Sequence, residues 1–366
     1  GLPQPLFQEP SAKSKFLAVA LEELDKILLA TAKLHMVVLG KVNIARADRW
    51  DSPELGRLGQ HPDYDPHDVN SMANVTSFAG VQLYAAILDL LAQRYCQPGN
   101  PHCRIHHWIL HNEINAGWEW TNCGDKPELV YLDQYYKSMR IVYNTVRKYD
   151  SHAQVFISLA HSWTLTPVNP ENFTSRSLLD NLLLFCRKEG DFEWGIGFHP
   201  YPESLMEPKS WLDQKCDFTF NTPLITFKNI EVLDAWVKQP RVLYRGQTIR
   251  PVYLSEQGSN SRDYSPKALA KQAASLAYVW KKIAPLDSIL GFEYHNWMDV
   301  PWEGGLRLGL RKFADDPDDP LGRKPIWFVY QALGTPKEEA AIAFAKPIIG
   351  ITDWKQVLHP VTNSAK

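Results

Sequence analysis

Two glutamates that follow buried strands are the residues best placed, by type and position, to do chemistry. Glu113 ends the segment IHHWILHNE and Glu256 lies in PVYLSEQG, so each comes directly after an apolar run. Cleavage of a glycosidic bond needs two carboxyl groups, one to protonate the leaving oxygen and one to attack or to activate water. The two glutamates therefore predict a two-carboxylate centre. Structural ion pairs with nearby Lys or Arg are the alternative.

Histidines beside the first glutamate allow a second hypothesis. His106, His107 and His111 lie on or next to the strand that leads to Glu113, and strand alternation puts His107, His111 and Glu113 on one face. Such a set could hold a divalent ion, whereas the simpler interpretation is a polar pocket lining. Because HExxH and related motifs are absent, we predict no metal and no cofactor.

Helices and strands alternate along the chain and must position these residues. Apolar periodicity predicts helices at 15–33, 77–95, 128–149, 177–189, 230–239, 266–283 and 325–334, and strands at 34–44, 105–113, 154–161, 194–199, 251–258 and 288–297. Strands separated by helices indicate parallel βαβ units, and continuous apolar strands indicate a sheet covered on both faces.

Polar residues at the strand ends distinguish a closed barrel from an open sheet. They are Asn112, Glu113, His161, His199, Glu256, Asn296 and Trp297. In a barrel the carboxyl ends of the strands converge on one site, and no nucleotide-binding glycine motif favours the open sheet. We predict a single α/β domain over 1–366, a (β/α)8 TIM-type barrel. Six strands are clear, and the stretch at 69–75 is a candidate for a seventh, so we predict an incomplete or irregular N-terminal front.

Composition limits the partners. Of 366 residues, 45% are hydrophobic and 22% charged, with a formal net charge of -2 and no basic block. We therefore predict no nucleic-acid and no membrane partner, and the oligomeric state is left open. Trp118 and Trp120 lie in NAGWEWTNCG, and Trp297 and Trp302 in HNWMDVPWEGG. Tryptophans in such polar segments suit stacking on sugars or a protein interface.

Cysteines and sequons are less informative. Cys96 and Cys103 flank the tight loop CQPGNPHC and could close a small disulfide, and the other three cysteines lack metal spacing. Asn74 and Asn172 begin sequons, although such matches are common by chance. A disulfide would suit the secreted or periplasmic location that we expect of an enzyme acting on polymers.

The motifs around both glutamates resemble those of a known clan. ILHNEINAGW and VYLSEQGSN are similar, in order and strand context, to the strand-four and strand-seven motifs of retaining glycoside hydrolases with (β/α)8 barrels. NEINAGWEWTNCG, GDFEWGIGFHPYP, TFKNIEVL and YLSEQGSNS more narrowly resemble a bacterial family of unknown function, DUF5722, assigned to that clan. The resemblance runs from about residue 20 to about residue 330 and says little about which sugar is bound.

The resemblance implies a role for each matching residue. Glu113 would be the acid/base and Glu256 the nucleophile, while Asn112 would hydrogen-bond the sugar 2-hydroxyl. His199 and Tyr201 hold the position from which the clan contacts its nucleophile, and Trp297 matches the aromatic floor of the sugar site. His111 departs from the clan, which has a small residue at that position. The other predicted sugar-binding residues are His111, Trp118, His161, Glu303 and Asn74.

Three functions follow from these residues. The first is a glycoside hydrolase with an oligo- or polysaccharide substrate and a retaining mechanism. The second is a carbohydrate-binding barrel that has lost catalysis, which the short N-terminal front favours and the presence of both glutamates opposes. The third is a His/Glu metal-dependent hydrolase. If the carboxyl groups lie about 5–5.5 Å apart, the mechanism retains anomeric configuration.

Overall fold

A computed structural model describes the backbone of residues 12–97, 99–100, 103–313 and 322–362, and side chains from residue 21 onward within these ranges. Its helices are α1 (Ala12–Lys33), α2 (Pro53–Gly59), α3 (Phe78–Tyr95), α4 (Gly117–Trp120), α5 (Glu128–Val146), α6 (Ser175–Glu189), α7 (Glu231–Val237), α8 (Pro266–Ile283), α9 (Pro325–Ala332), α10 (Glu338–Ile342) and α11 (Ala345–Ile349). Its strands are β1 (Leu39–Val42), β2 (Ile44–Ala45), β3 (Asn70–Ser71), β4 (His107–Leu110), β5 (Val155–Ala160), β6 (Trp194–His199), β7 (Val252–Leu254) and β8 (Ile289–Phe292).

Six of these strands form a parallel sheet in the order β1-β4-β5-β6-β7-β8. Helices lie between successive strands, as the predicted βαβ units require. The stretch near 69–75, the candidate for a seventh strand, does contain a short strand, β3, but it lies outside the parallel sheet. There, Asn70 and Ser71 pair antiparallel with Ala45 and Ile44 in a separate two-stranded sheet. Beyond Ser71 the chain stays buried but bonds to residues outside any strand: the Met72 amide donates to the Asn122 carbonyl, and the Asn74 amide donates to the Gly59 carbonyl.

The chain divides into two compact units, and the prediction of one domain over 1–366 stays a prediction. The first unit comprises residues 1–112 and 118–156. In it, β1 pairs with β4 from Leu39–His107 to Val42–Leu110. Helix α3 begins at Phe78 because the Ser77 hydroxyl accepts a hydrogen bond from the amide of Gly80, which caps the helix.

The second unit comprises residues 113–117 and 157–366 and contains β6, β7 and β8. Every residue of β6 is buried, which explains its uninterrupted apolar sequence. Helix α8 begins after Ser265, whose hydroxyl caps the amide of Ala268. Its buried face packs in a cluster with α9, α10 and α11, whose members are Ala273, Ala274, Leu276, Ala277, Leu310, Ile326, Val329, Ile342 and Ala345.

Two further observations bear on the sequence predictions. Cys96 is fully buried at the end of α3, and Cys103 is half-buried with a left-handed φ of 69°. Both are free thiols, so the disulfide alternative is not realised in this structure. Among the described helices, none is both long and apolar enough to cross a membrane.

Candidate active site

Three side chains of the second unit converge at the carboxyl ends of their strands. The Nδ1 atom of His199 lies 2.7 Å from Oε1 of Glu113 and 3.9 Å from Oε2 of Glu256. One carboxylate oxygen from each glutamate and one nitrogen of the histidine lie within 4.8 Å of one another. His199 is fully buried, whereas the side chains of Glu113 and Glu256 are 15% and 27% exposed. Two partly exposed carboxyl groups thus lie beside one buried imidazole.

The backbone around Glu113 sets the direction of its side chain. Glu113 has a left-handed φ of 38°, which is unusual for a residue other than glycine. Its amide donates a 3.0 Å hydrogen bond to the hydroxyl of Ser158 on β5. In the 3₁₀ turn that follows (Ile114–Ala116), the side-chain oxygen of Asn115 accepts a 2.7 Å hydrogen bond from the amide of Ala160. These bonds hold a strained conformation in place at the site.

Glu256 is held by the loop that leaves β7. The side-chain amide of Gln257 donates to the carbonyl of Glu293, and the Gln257 carbonyl accepts from the amide of His295 at 2.7 Å. Gly258 permits this close approach, because a Cβ there would lie 2.0 Å from the His295 carbonyl oxygen. The loops after β7 and β8 therefore support each other beside Glu256.

Tyr201 and His161 extend the site. The Tyr201 hydroxyl donates a 3.1 Å hydrogen bond to Oε1 of Glu256, and its carbonyl oxygen lies 3.0 Å from Nδ1 of His161. Burial, followed by the negative charge of Glu256, raises the pKa of Tyr201 far above its usual value, so the phenol stays protonated. Burial lowers the pKa of His161, which favours its neutral form.

The loop after β8 contains two of the predicted sugar-binding residues. Trp297 is 57% exposed, and its ring meets that of Trp327 edge to face at 4.9 Å. Glu303 turns back onto its own loop, where Oε1 lies 2.9 Å from Nε2 of His295 and 3.4 Å from Nδ2 of Asn296. Trp297 thus presents an exposed aromatic surface, whereas Glu303 stabilises the loop through its contacts with His295 and Asn296.

Asn112 and Trp118 belong to the first unit. The Asn112 side-chain oxygen accepts a 2.8 Å hydrogen bond from the ammonium group of Lys41, and its carbonyl accepts from the Thr121 hydroxyl. Trp118 is half-buried at the start of α4, and its carbonyl accepts from the side chain of Asn122. A sugar contact by either residue stays a prediction.

The side chain of His111 is buried against residues of helix α5. Its side chain is 1% exposed, with Nε2 3.1 Å from the Ser138 hydroxyl and the ring against Tyr135. Burial lowers its pKa to about 4, so the imidazole is neutral. The backbone has a left-handed φ of 57°, a departure from extended geometry that strand alternation cannot anticipate. These contacts favour a packing role for His111 over the predicted sugar contact.

Asn74 also has structural partners. It is 6% exposed, its amide donates to the Leu58 carbonyl at 2.9 Å, and its side-chain oxygen accepts from the backbone and hydroxyl of Thr76. An asparagine side chain that binds the backbone two residues ahead forms an Asx turn. This use explains the polar residue at the start of α3 without a sugar ligand or a glycan.

The predicted cluster of His107, His111 and Glu113 is not formed. His106 Nδ1 accepts from the amide of Val38, and His107 Nδ1 accepts from the amide of Gln154. Within the described ranges, the one group of three or more potential metal ligands is Glu113, His199 and Glu256. The histidine beside both glutamates is His199 on β6, which the resemblance had placed next to the nucleophile but which lies closer to Glu113 than to Glu256.

Sequence reasoning missed two residues that position Glu113. Ser158 is fully buried and interrupts the apolar strand VFISLA, and Asn115 lies two residues after the glutamate. A buried hydroxyl needs a hydrogen-bond partner, so a single serine within an apolar strand could have marked Ser158 as a residue that bonds to a neighbouring element. Nothing in the sequence singled out Asn115.

Comparison with known proteins bears on family and fold. A sequence model described as "Family of unknown function (DUF5722)" matches residues 12–357. A search of curated proteins returns no match. A family 39 glycoside hydrolase from Bacteroides cellulosilyticus WH2 is similar in structure, with a TM-score of 0.52 and 17% identity over 88% of this chain and 53% of its own. The likeness shows an α/β fold of the TIM type.

Two other solved structures are less similar. The intracellular xylanase TsXylA of Thermoanaerobacterium saccharolyticum has a TM-score of 0.48 and 17% identity, over 83% of this chain and 78% of its own. The β-glucuronidase 2 of Bacteroides uniformis has a TM-score of 0.49 and 13% identity, over 90% and 33%. The chain spans about half the length of the first solved relatives that it matches.

Proposed function

The chain belongs to the DUF5722 family, as the motifs around both glutamates predicted, and we propose that it hydrolyses glycosidic bonds with retention of configuration. Glu113 is the acid/base and Glu256 the nucleophile. The observation that carries the proposal is the approach of the two carboxylates. Their nearest potential ligand oxygens lie within 4.8 Å. A retaining glycosidase needs a spacing of about 5–5.5 Å, whereas an inverting enzyme leaves about 6.5–9.5 Å for a water molecule.

The first step breaks the bond between the anomeric carbon and the leaving oxygen. A carboxylate oxygen of Glu256 forms a new bond to that carbon, and the carboxyl proton of Glu113 moves to the departing oxygen. In the second step, water attacks the same carbon, gives its proton to the Glu113 carboxylate and releases Glu256. Glu113 is again protonated and Glu256 again ionised, and two inversions at the anomeric carbon give net retention of configuration.

The neighbours of the glutamates suit these steps. The Tyr201 hydroxyl donates to Oε1 of Glu256 and so restrains the orientation of this carboxylate. His199 contacts Oε1 of Glu113 and so restrains the orientation of that carboxyl group. A fixed orientation of reacting groups removes part of the entropic cost of the reaction. His199 and Tyr201 are thus positioning residues for the two glutamates.

The proposed substrate is an oligo- or polysaccharide. Trp297 offers an exposed aromatic face on which the apolar face of a sugar ring can stack. Asn112 and Trp118 stay proposals for sugar binding, as does His161. A secreted or periplasmic location fits an enzyme that acts on a polymer, and it is part of the proposal.

The test replaces each carboxyl group with its amide. Purified Glu113→Gln and Glu256→Gln proteins are compared with wild type on a panel of aryl glycosides and oligosaccharides, with Glu189→Gln, an exposed change at the end of α6, as control. We expect both site variants to lose at least about 10²-fold in kcat, with unchanged unfolding temperatures. Proton NMR of the first product should show the anomer of the substrate. Turnover at the wild-type rate in either variant overturns the assignment.

The same three donors also suggest a second function. Two carboxylates and an imidazole whose atoms lie within 4.8 Å are a plausible divalent-ion set. A metal-dependent hydrolase would lose activity on dialysis against EDTA and regain it with Zn²⁺ or Mn²⁺. The glycosidase proposal expects full activity after EDTA. A barrel that only binds carbohydrate would retain oligosaccharides but hydrolyse none of the panel.

A further inference from the structure

A second polar groove lies beside the two loops that leave the active-site strands. It has a volume of about 240 Å³ and is lined by Glu207, Pro208, Asn260, Arg262, Asp263, Ser265, Lys267, Ala268 and Lys271. One wall is the loop that follows Tyr201, and the other is the loop that follows Glu256. Because both loops start at carboxyl ends of strands, the groove lies at the same end of the second unit as the two catalytic glutamates.

The cations of this groove have few counter-charges. Among the described residues, the ammonium groups of Lys267 and Lys271 have no hydrogen-bond or ion-pair partner. The Arg262 side chain is 67% exposed and lies 3.9 Å from Glu207, its one ion-pair partner among the described residues, and Glu207 also lies 3.7 Å from Lys209. The remaining carboxylate, Asp263, accepts from the amide of Ser265. Positive charge is therefore in excess around the groove.

The position of the lysines is unfavourable for the protein alone. Lys267 and Lys271 are four residues apart on one face of α8, where like charges repel. Lys267 also lies in the first turn, which the helix dipole makes favourable for acids, and α8 has no acid there. A departure from a local rule without a compensating contact is expected at functional sites. An anion in the groove would remove both penalties.

The backbone that carries Arg262 is held in place before any ligand binds. The Arg262 carbonyl accepts a 2.7 Å hydrogen bond from the guanidinium of Arg307. The Arg307 amide donates to the side chain of Asn260 at 2.8 Å, and the Ser261 amide donates to the Arg307 carbonyl. A groove with prearranged walls binds a ligand at a lower entropic cost.

We propose that this groove binds an anionic group of the carbohydrate substrate, either the carboxylate of a uronic acid or a sulfate ester. This inference rests on the proposed glycosidase function and names its substrate class. Arg262 can contact either anion through two parallel N–H donors, and the two lysines supply point charges. The groove thus selects acidic polysaccharides over neutral ones.

The experiment measures binding without turnover. Glu256→Gln protein is run in native gels that contain polygalacturonate, dextran sulfate or neutral dextran, and apparent Kd values are taken from the retardation. The test variant adds Lys267→Ala and Lys271→Ala. The control instead adds Arg187→Ala and Lys188→Ala, two exposed cations in the last turn of α6. Both variants lose two positive charges, so the non-specific attraction falls equally.

We expect the groove variant to lose about tenfold or more in affinity for one anionic polymer, while the control changes less than about twofold. Loss on polygalacturonate alone identifies a carboxylate, and loss on dextran sulfate alone identifies a sulfate. Equal losses in both variants, or no retardation of the parent protein by either anionic polymer, overturn the proposal. If Glu113→Gln keeps wild-type turnover while the groove still discriminates, the glycosidase function fails and the anion site stands.

Discussion

The Nδ1 atom of His199 lies 2.7 Å from Oε1 of Glu113 and 3.9 Å from Oε2 of Glu256, so one buried imidazole faces both carboxylates. Its other nitrogen, Nε2, is buried and has no hydrogen-bond partner among the described residues. Nδ1 can donate one hydrogen bond, and Oε1 of Glu113 is the nearer acceptor. His199 therefore restrains Glu113 more than Glu256.

Replacement of His199 tests this restraint. We expect His199→Phe to lower kcat/KM by roughly tenfold to a hundredfold, because Glu113 loses the partner that orients it. His199→Asn keeps a side-chain donor and should recover part of the loss. Steady-state kinetics on the best substrate of the panel measure both effects. Equal losses in the two variants, with unfolding temperatures that match wild type, would contradict an orienting hydrogen bond.

Tyr201 provides a test of both rate and pH dependence. We expect Tyr201→Phe to lower kcat about tenfold or more, since Glu256 loses a charged hydrogen bond. Burial and the Glu256 charge raise the pKa of Tyr201, so the phenol does not ionise within an ordinary assay range. The alkaline limb of the pH–rate profile should therefore be the same in variant and wild type.

The matched control for this change is Tyr264→Phe, which removes a hydroxyl that donates to Asp299 at 2.8 Å instead of to a catalytic glutamate. It should leave kcat within about twofold of wild type. A shift of the alkaline limb in Tyr201→Phe would show that the phenol itself titrates, against the direction given by its burial.

Two exposed tryptophans of one loop separate sugar stacking from general surface effects. Trp297 is 57% exposed and rests against Trp327, while Trp302 is 81% exposed. We expect Trp297→Ala to lower kcat/KM about tenfold through the loss of a stacking surface, and Trp302→Ala to change it little. Similar losses of kcat/KM in both variants would contradict the prediction that Trp297 forms the floor of the sugar site.

Asp213 predicts a change of stability with pH. Burial raises its pKa to about 6, although Thr226 donates a 2.7 Å hydrogen bond to its carboxylate. Because the folded pKa exceeds the unfolded one, this group stabilises the fold at pH below about 4, and the contribution is lost as pH rises through 6. Asp213→Asn does not titrate and avoids this loss.

As the pH rises from about 4 to 7, the free energy of unfolding of Asp213→Asn should therefore increase relative to that of wild type, by on the order of 3 kcal/mol. Urea unfolding at several pH values measures the difference. Thr222→Val, which removes another buried hydroxyl of the same region, serves as a control without a titrating group. A difference between Asp213→Asn and wild type that is constant with pH would show that Asp213 ionises normally in the folded protein.

The periodicity of apolar residues in the sequence predicted most of the helices and strands, but it overestimated the length of some strands. The helix predicted at 266–283 matches α8, and the strand at 194–199 matches β6. Strands predicted at 34–44 and 288–297 shrink to Leu39–Val42 and Ile289–Phe292. The apolar residues before β1 are not part of a core, since Leu34, Met36 and Val37 are all more than half exposed, so hydrophobicity alone overestimates strand length.

The amino-acid sequence by itself determined the alternation of helices and strands, the family, and the placement of Glu113 and Glu256 after two parallel strands. These follow from local periodicity and motifs. Only the tertiary structure decided which glutamate His199 contacts most closely: it lies nearer to Glu113 than to Glu256, while His111 is buried against Ser138. The left-handed backbone at His111 and Glu113 turns each side chain away from simple strand alternation. Such a conformation depends on distant partners such as Ser158, which no local pattern encodes.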